Sequence, residues 1–200
     1  MTRGILARGS HVLIRDRRPE DVETYLRWMT SGEWRYLDAP WEGVRESMDG
    51  KTTQEMREKI VKLYEQELPR PRTFAFVATL AGVPIGRVSR YSRGSQKDEW
   101  CVGIDLCEDD HLNRGLGTEG LTLWVGYLFG NSDIHRIALE TWSFNPRMAR
   151  VAEKVGFRQE GIQREAQEWQ GEWLDKLQYG LLRREWEQLK QENSGEISDE

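Results

Sequence analysis

The stretch Leu112-Asn113-Arg114-Gly115-Leu116-Gly117-Thr118-Glu119-Gly120 holds the residue types best suited to bind an anion. It follows the apolar run Trp100 to Leu106 and precedes the helical-looking segment Leu121 to Phe129, so the order reads strand, glycine-rich turn, helix start. Glycines at 115 and 117 let the backbone approach a ligand, and the unpaired N–H groups and positive dipole end of a helix favour a phosphate there. Two nucleotide motifs fit poorly. Gly115, Gly117 and Gly120 have the G-x-G-x-x-G spacing, but a dinucleotide fold carries that turn after its first strand, and here about a hundred residues with several strand-like segments come first. The P-loop pattern needs Lys-Ser or Lys-Thr after its glycines. Lys51-Thr52 follows Gly50, but the partner glycine is replaced by Arg45.

Further along, Asn145-Pro146-Arg147 to Val155-Gly156-Phe157 reads as a short helix with a left-handed glycine stop. With the glycine turn, this segment resembles the GNAT superfamily of acyl-CoA-dependent N-acyltransferases. In that family a Q/R-x-x-G-x-G/A loop holds the pyrophosphate, and an Asn-initiated helix ending K-x-G-F flanks the thioester. The run from Gly115 to Glu119, His135-Arg136-Ile137, Asn145, Glu153 to Phe157 and Glu160-Gly161 are similar to the branch containing ribosomal-protein N-terminal acetyltransferases. Gly171 to Trp186 resembles that branch's closing hairpin, and Leu13 to Trp28 its opening strand and helix.

The resemblance implies an α/β (α+β) fold: a central mixed, mostly antiparallel sheet flanked by helices, with a V-shaped splay between the two central strands. It implies transfer of acetyl from acetyl-CoA (coenzyme A) to a primary amine, on a protein or peptide N-terminus or a small molecule, by direct attack in a ternary complex. A catalytically idle acyl-CoA-binding protein and a transferase for a larger acyl group such as succinyl are the alternatives. The cofactor set it implies is Leu106, Asn113, Arg114, Gly115, Leu116, Gly117, Thr118, Asn145 and Arg150, with Asn145 meeting the pantetheine arm. Two positions depart from the pattern. The Gln or Arg that opens the phosphate loop falls on Leu112, leaving Arg114 to supply a cation, and the tyrosine that protonates the leaving thiolate falls on Ala152.

Such a transfer needs a neutral amine, a place for charge on the carbonyl oxygen and a proton for the thiolate. A carboxylate acting through water can take the amine's proton. Strand alternation puts Glu99, Cys101, Gly103 and Asp105 on one face, so Glu99 or Asp105 is the catalytic base expected, with His111 and His135 as alternatives and His135 read as structural. The oxyanion meets a backbone N–H near Leu106. Ser143 and Tyr179 have hydroxyls that could replace the missing tyrosine; their plainer readings are a helix-entry residue and a core residue. Asn145 is equally an N-cap for the Pro146-led helix. Arg114, then Arg150, lead Arg147 and Lys154 as phosphate partners, against a solvated helix face. Trp34, Tyr36, Trp41 and Trp142 suit either an acceptor pocket for a cationic or peptide group or ordinary packing.

Residues of these kinds must be positioned by a sheet. His11 to Asp16 reads as a strand, and Arg18 to Asp21 opens a helix bearing Val22, Tyr25, Leu26 and Met29. Periodicity fades from Ser31 to Gly50 and returns in a helix over Thr52 to Leu68. Phe74 to Leu80 and Ile85 to Tyr91 form a hairpin, Ser92 to Asp98 a polar loop, Glu99 to Leu106 the strand before the glycine turn. Thr118 to Phe129 is the next helix, Arg136 to Trp142 a strand reached by a crossover, and Phe157 to Glu168 and Glu172 to Leu182 a closing strand pair.

Two hundred residues suit one domain, expected over 1–192 with a polar tail at 193–200. A net charge of -5 argues against nucleic-acid binding and suits cationic substrates or simple solubility. The lack of an apolar stretch of about twenty residues argues against a membrane span, and Met1 to Ser10 lacks the apolar middle of a secretory signal, so a cytoplasmic protein without membrane contact is expected. Cys101 and Cys107 are too far apart on one strand to pair and read as free thiols. No residue set suggests a metal, and a homodimer is compatible with the sequence.

Overall fold

The computed structural model describes residues 4–37, 39–41, 52–66, 68–92 and 98–195. Its strands belong to an eight-stranded, mostly antiparallel sheet in the order β1-β2-β3-β4-β5-β6-β8-β7. These are β1 (Ile5–Arg8), β2 (Val12–Arg15), β3 (Phe74–Thr79), β4 (Pro84–Tyr91), β5 (Glu99–Leu106), β6 (Arg136–Trp142), β7 (Arg158–Trp169) and β8 (Glu172–Leu182). The helices are α1 (Val22–Thr30), α2 (Trp34–Leu37), α3 (Thr53–Glu65), α4 (Leu116–Gly130), α5 (Pro146–Val155) and α6 (Arg183–Gly195). The chain forms two compact units, one of Met1–Ser89 with Ile104–Tyr127 and the other of Arg90–Gly103 with Leu128–Glu200. Among the described residues no helix is long and apolar enough to cross a membrane.

In the first unit, β1 to β4 pair antiparallel in chain order. The helical spacing of Tyr25, Leu26, Trp28 and Met29 buries one side of α1, and Met56, Ile60 and Tyr64 do the same for α3. Both helices meet Phe76 of β3 in one apolar cluster. Edge-to-face contacts of Phe76 with Trp28 and Phe74, at 5.6 and 5.5 Å between centroids, fix the ring orientations. A Thr52–Glu55 capping box starts α3. Beneath the α1 entry lie two buried ion pairs, Arg15 with Asp21 at 2.7 Å and Arg72 with Asp16 at 2.7 Å.

In the second unit, β5 and β6 pair in parallel from Glu99↔Arg136 to Cys101↔Ala138. Both strands run on past that short ladder, β5 to Leu106 and β6 to Trp142, where β6 keeps β8 as its partner through Trp142↔Lys176. β7 and β8 make a long hairpin whose register shifts at Gln159/Gly161 and Gln163/Gln167. Gln170 and Gly171 take left-handed φ values of 56° and 84° at its tip, the mirror-image turn that a tight hairpin favours.

The structure adds three elements to the sequence reading: β1, α2 and α6. β1 pairs with β2 at the start of the chain, and α6 follows β8, so helix occupies the first three residues of the segment expected as a tail. Helix α3 ends at Glu65, earlier than Leu68, and α4 begins at Leu116, earlier than Thr118. Within 31–50 the described part includes α2; residues 38 and 42–50 lie outside the described residues, as do 93–97 of the polar loop. Cys101 and Cys107 are buried and not joined in a disulfide.

Candidate active site

The glycine turn begins where β5 ends. Cys107 N–H donates to the Ile85 carbonyl at 2.9 Å, a short 3-10 turn covers Asp109–His111, and Leu112 N–H closes onto Asp109 O at 3.1 Å. Asn113 and Gly115 then take left-handed backbones, φ 60° and 78°, conformations that glycine and asparagine adopt with least strain. The first turn of α4 is closed by Glu119 N–H to Gly115 O at 3.1 Å, so the amides of Leu116, Gly117 and Thr118 precede the helical ladder. Asn113, Arg114 and Gly115 are exposed.

The three glycines have different physical duties. A Cβ at Gly115 would touch nothing, so its requirement is conformational. At Gly117 a Cβ would lie 3.6 Å from Leu106 Cδ1, an ordinary contact that leaves the outer side of the turn open. At Gly120 it would come within 3.2 Å of Ile104 Cδ1 and Val77 Cγ1, so that glycine serves helix-on-sheet packing.

Each expected base is held by its own arginine. Asp105 Oδ2 accepts from Arg87 Nε at 2.7 Å; the same guanidinium lies 4.7 Å from the Trp34 ring centroid and reaches the Tyr25 hydroxyl at 3.4 Å. Glu99 Oε2 accepts from Arg136 Nε at 2.5 Å, and Arg136 also grips Glu160. The Arg136 hydrogen bonds hold Glu160 below the usual carboxylate range against a smaller opposing effect of burial. Glu99 thus sits at the paired end of β5, in register with Arg136, and Asp105 at the end leading into the glycine turn. Alternation put both on one face, six residues apart; it could not show that each is paired with an arginine. His111 Nδ1 is buried with no hydrogen-bond partner among the described residues. His135 is exposed, and its carbonyl accepts from Arg183 N–H at 2.9 Å.

In the second unit Asn145 is the N-cap of α5: its side-chain oxygen accepts from Met148 N–H at 3.1 Å, and Pro146 takes the first helical position. Ser143 is exposed and forms a reciprocal link with β8, its N–H donating to Asp175 O at 2.9 Å and its Oγ accepting from Asp175 N–H at 3.1 Å. Tyr179 is buried on β8, between Leu139 of β6 and Gln159 of β7. Burial, with the nearby Glu153 charge, raises its pKa, so the phenol stays protonated at neutral pH. Ala152 is fully buried, and its carbonyl accepts from Gly156 and Phe157 N–H groups. Arg150 and Lys154 are exposed and Arg147 is half-buried.

The aromatic set offered as an acceptor pocket divides. Trp34 is core, Tyr36 is 64% exposed, and Trp41 is half-buried. Trp142 belongs to the second unit, where Lys176 Nζ lies 5.5 Å from its ring. Sequence reasoning missed Arg87, Asp175 and the His11–Glu119 pair. Their partners are far along the chain, up to 108 residues for His11 and Glu119, and local pattern carries no signal at that range. Among the described residues no cluster of three or more His, Cys, Asp or Glu side chains is placed to hold a metal ion.

A mostly antiparallel sheet with, among the described pairings, a parallel pair that brackets a left-handed turn and a helix start is the architecture expected of an acyl-CoA-dependent acyltransferase. The chain belongs to the acetyltransferase (GNAT) domain family, whose model matches residues 11–158. It is similar to the probable N-acetyltransferase YjcK of Bacillus subtilis, 31% identical over 134 residues, 65% of this chain and 73% of that protein. It is also similar to the aminoglycoside N(6')-acetyltransferase type 1 of Klebsiella pneumoniae, 30% identical over 122 residues, 54% of this chain. The matched part spans 61% of the length of that relative. Among solved structures, spermidine N-acetyltransferase from Vibrio cholerae in complex with CoA and spermine shares the fold with a TM-score of 0.69 at 17% identity, over 89% of this chain and 99% of that one. RimL, a ribosomal alpha-N-protein acetyltransferase in complex with coenzyme A, gives 0.68 at 16% identity, over 89% and 97%.

Proposed function

We propose that this protein transfers an acetyl group from acetyl-CoA to a primary amine, borne by a small molecule or a peptide or protein N-terminus. The observation that carries the reading is the turn from Asn113 to Thr118, where two left-handed residues open onto the first amides of α4 in a chain of this family. In this reading those amides take the diphosphate, Arg114 adds a cation and Asn145 meets the pantetheine arm, with Arg150 as a second phosphate partner. Asp105, beside the glycine turn, is favoured over Glu99 as the proton acceptor, and Tyr179 over Ser143 as the donor to the thiolate. The Tyr179 hydroxyl is kept neutral by burial, and a phenol is a far stronger acid than the Ser143 alcohol. The named activities of the relatives, on an aminoglycoside, spermidine and a ribosomal protein, support an amine acceptor without choosing among these. Two buried cysteines outside any disulfide agree with a reducing, cytoplasmic setting.

The fully buried Ala152, at the position where the family resemblance implies a tyrosine, favours one second reading, a protein that binds acyl-CoA without turnover. The test is release of free thiol from acetyl-CoA in the presence of a panel of amines and N-terminal peptides. Acceptor-dependent thiol release is expected. Saturable coenzyme binding with no acceptor-dependent release would leave the idle reading, and a rate that rises only with succinyl-CoA would change the acyl group.

A further inference from the structure

Glu119 lies in the first turn of α4, just past the amides proposed to meet the diphosphate, and its carboxylate is fastened to the turn between β1 and β2. The His11 N–H donates to Oε1 at 2.8 Å, the Val12 N–H reaches the same oxygen at 3.4 Å, and His11 Nδ1 lies 3.0 Å from Oε2. That turn is itself closed by Gly9 N–H to Val12 O at 2.9 Å. Gly9 has no side chain for a spatial reason: a Cβ there would run into the Glu119 carboxylate.

The exposures show which partner the arrangement serves. The His11 side chain is 73% exposed and that of Glu119 22%, so the acid is enclosed by the turn and the imidazole is its outer cover. Burial by itself raises the acid, but the hydrogen bonds from His11 and Val12 outweigh it and hold Glu119 below the usual carboxylate range. It is therefore an anion at neutral pH. Its Oε1 is held by two backbone N–H groups and its Oε2 lies against His11 Nδ1, and these contacts fix how the first turn is set.

We propose that Glu119 is a positioning residue for the diphosphate cradle, through which the β1–β2 turn clamps the helix start and holds the amides of residues 116–118 in place. This rests on the coenzyme reading given above. Calorimetric titration of the full chain with CoA, and with pantetheine, which lacks the diphosphate, separates the two ideas. Glu119→Ala is expected to weaken CoA roughly tenfold, the size of effect that charge-assisted hydrogen bonds carry, while leaving pantetheine affinity unchanged. Glu119→Gln can offer one oxygen to both amides and an N–H to His11 Nδ1, and is expected to bind CoA within about twofold of wild type. Gly9→Ala places a methyl group where the carboxylate sits and should reproduce the Glu119→Ala loss, which keeps the test open where Glu119→Ala does not fold. Wild-type CoA affinity in Glu119→Ala or Gly9→Ala, or an equal loss for CoA and pantetheine, overturns the clamp alone. A wild-type protein with no affinity for CoA overturns the coenzyme reading and the clamp with it.

Discussion

A thiolate leaves faster when it is protonated, and the position where the family resemblance implies a tyrosine for that purpose is Ala152, fully enclosed in α5. Tyr179 is the buried phenol of the second unit whose environment keeps it neutral: burial first, then the Glu153 charge, push it above its ordinary value of 10.0. The sign matters for activity. A donor whose pKa is raised stays protonated as pH rises, so loss of this proton sets no alkaline limb below about pH 10. Tyr179→Phe is expected to lower kcat roughly a hundredfold, the usual worth of general acid catalysis, with CoA affinity unchanged in calorimetry. A variant with wild-type kcat would remove Tyr179 from the chemistry. Gly117 gives the complementary case. Its Cβ position is sterically ordinary, so Gly117→Leu should fold with a melting temperature near wild type while losing CoA affinity, because the larger side chain projects where the diphosphate must approach. Unchanged CoA affinity in that variant would show that the turn is only a bend.

Among the elements, the left-handed glycines illustrate how local geometry and tertiary packing separate. Gly115 and Gly156 both have positive φ, 78° and 105°, so alanine costs about 1–2 kcal/mol of backbone strain at either. Their surroundings differ. The Cβ at 115 meets open space, whereas at 156, the C-cap of α5, it would strike the Leu189 side chain of α6. Gly156→Ala is therefore expected to destabilise more than Gly115→Ala by about 1 kcal/mol or more, read from urea midpoints, because overpacking adds to strain. Equal midpoints would mean that Leu189 yields without cost. This pair also marks the limit of legibility. The Asn145 cap, Pro146 and the Gly156 stop identified α5 from sequence because each acts within its own helix. Helix α6 went unread: its anchors are tertiary, with Trp186 stacked on Phe129 at 6.2 Å and Arg183 Nη1 donating to the Phe129 carbonyl at 2.9 Å. The strands from β3 to β8 were legible because alternation and turn residues write them locally; β1, four residues at the chain start with a mostly half-exposed pattern, has no such signature.

At the scale of the molecule, charge is used more inside this protein than its composition suggests. A net charge of -5 describes the surface, whereas Arg15, Asp16, Asp21 and Arg72 are buried in two bidentate pairs under the first helix. Composition could not disclose that, since a charged residue in sequence reads as solvated by default. Partly exposed carboxylates set the response to acid. Glu160 is lowered chiefly by its hydrogen bonds to Arg136. For Glu108 and Glu119 burial is the largest effect and raises the pKa, but hydrogen bonds from Arg27 and Trp28, and from His11 and Val12, outweigh it and leave both lowered. A carboxylate depressed in the folded state contributes stability that is complete above its unfolded value, 4.5 here, and is lost as pH falls through the lower folded value. The melting temperature is thus expected to be flat in this respect above about pH 6 and to fall progressively below 4.5. Glu108→Gln should shallow that decline, since the variant has one fewer proton to take up on unfolding in acid, at the cost of a lower melting temperature at pH 7. The measurement is a calorimetric melting series from pH 7 to pH 3 for wild type and variant. A variant whose curve runs parallel to wild type throughout would show that Glu108 titrates alike in the folded and unfolded chains, and that its contacts with Arg27 and Trp28 hold no pH-dependent stability.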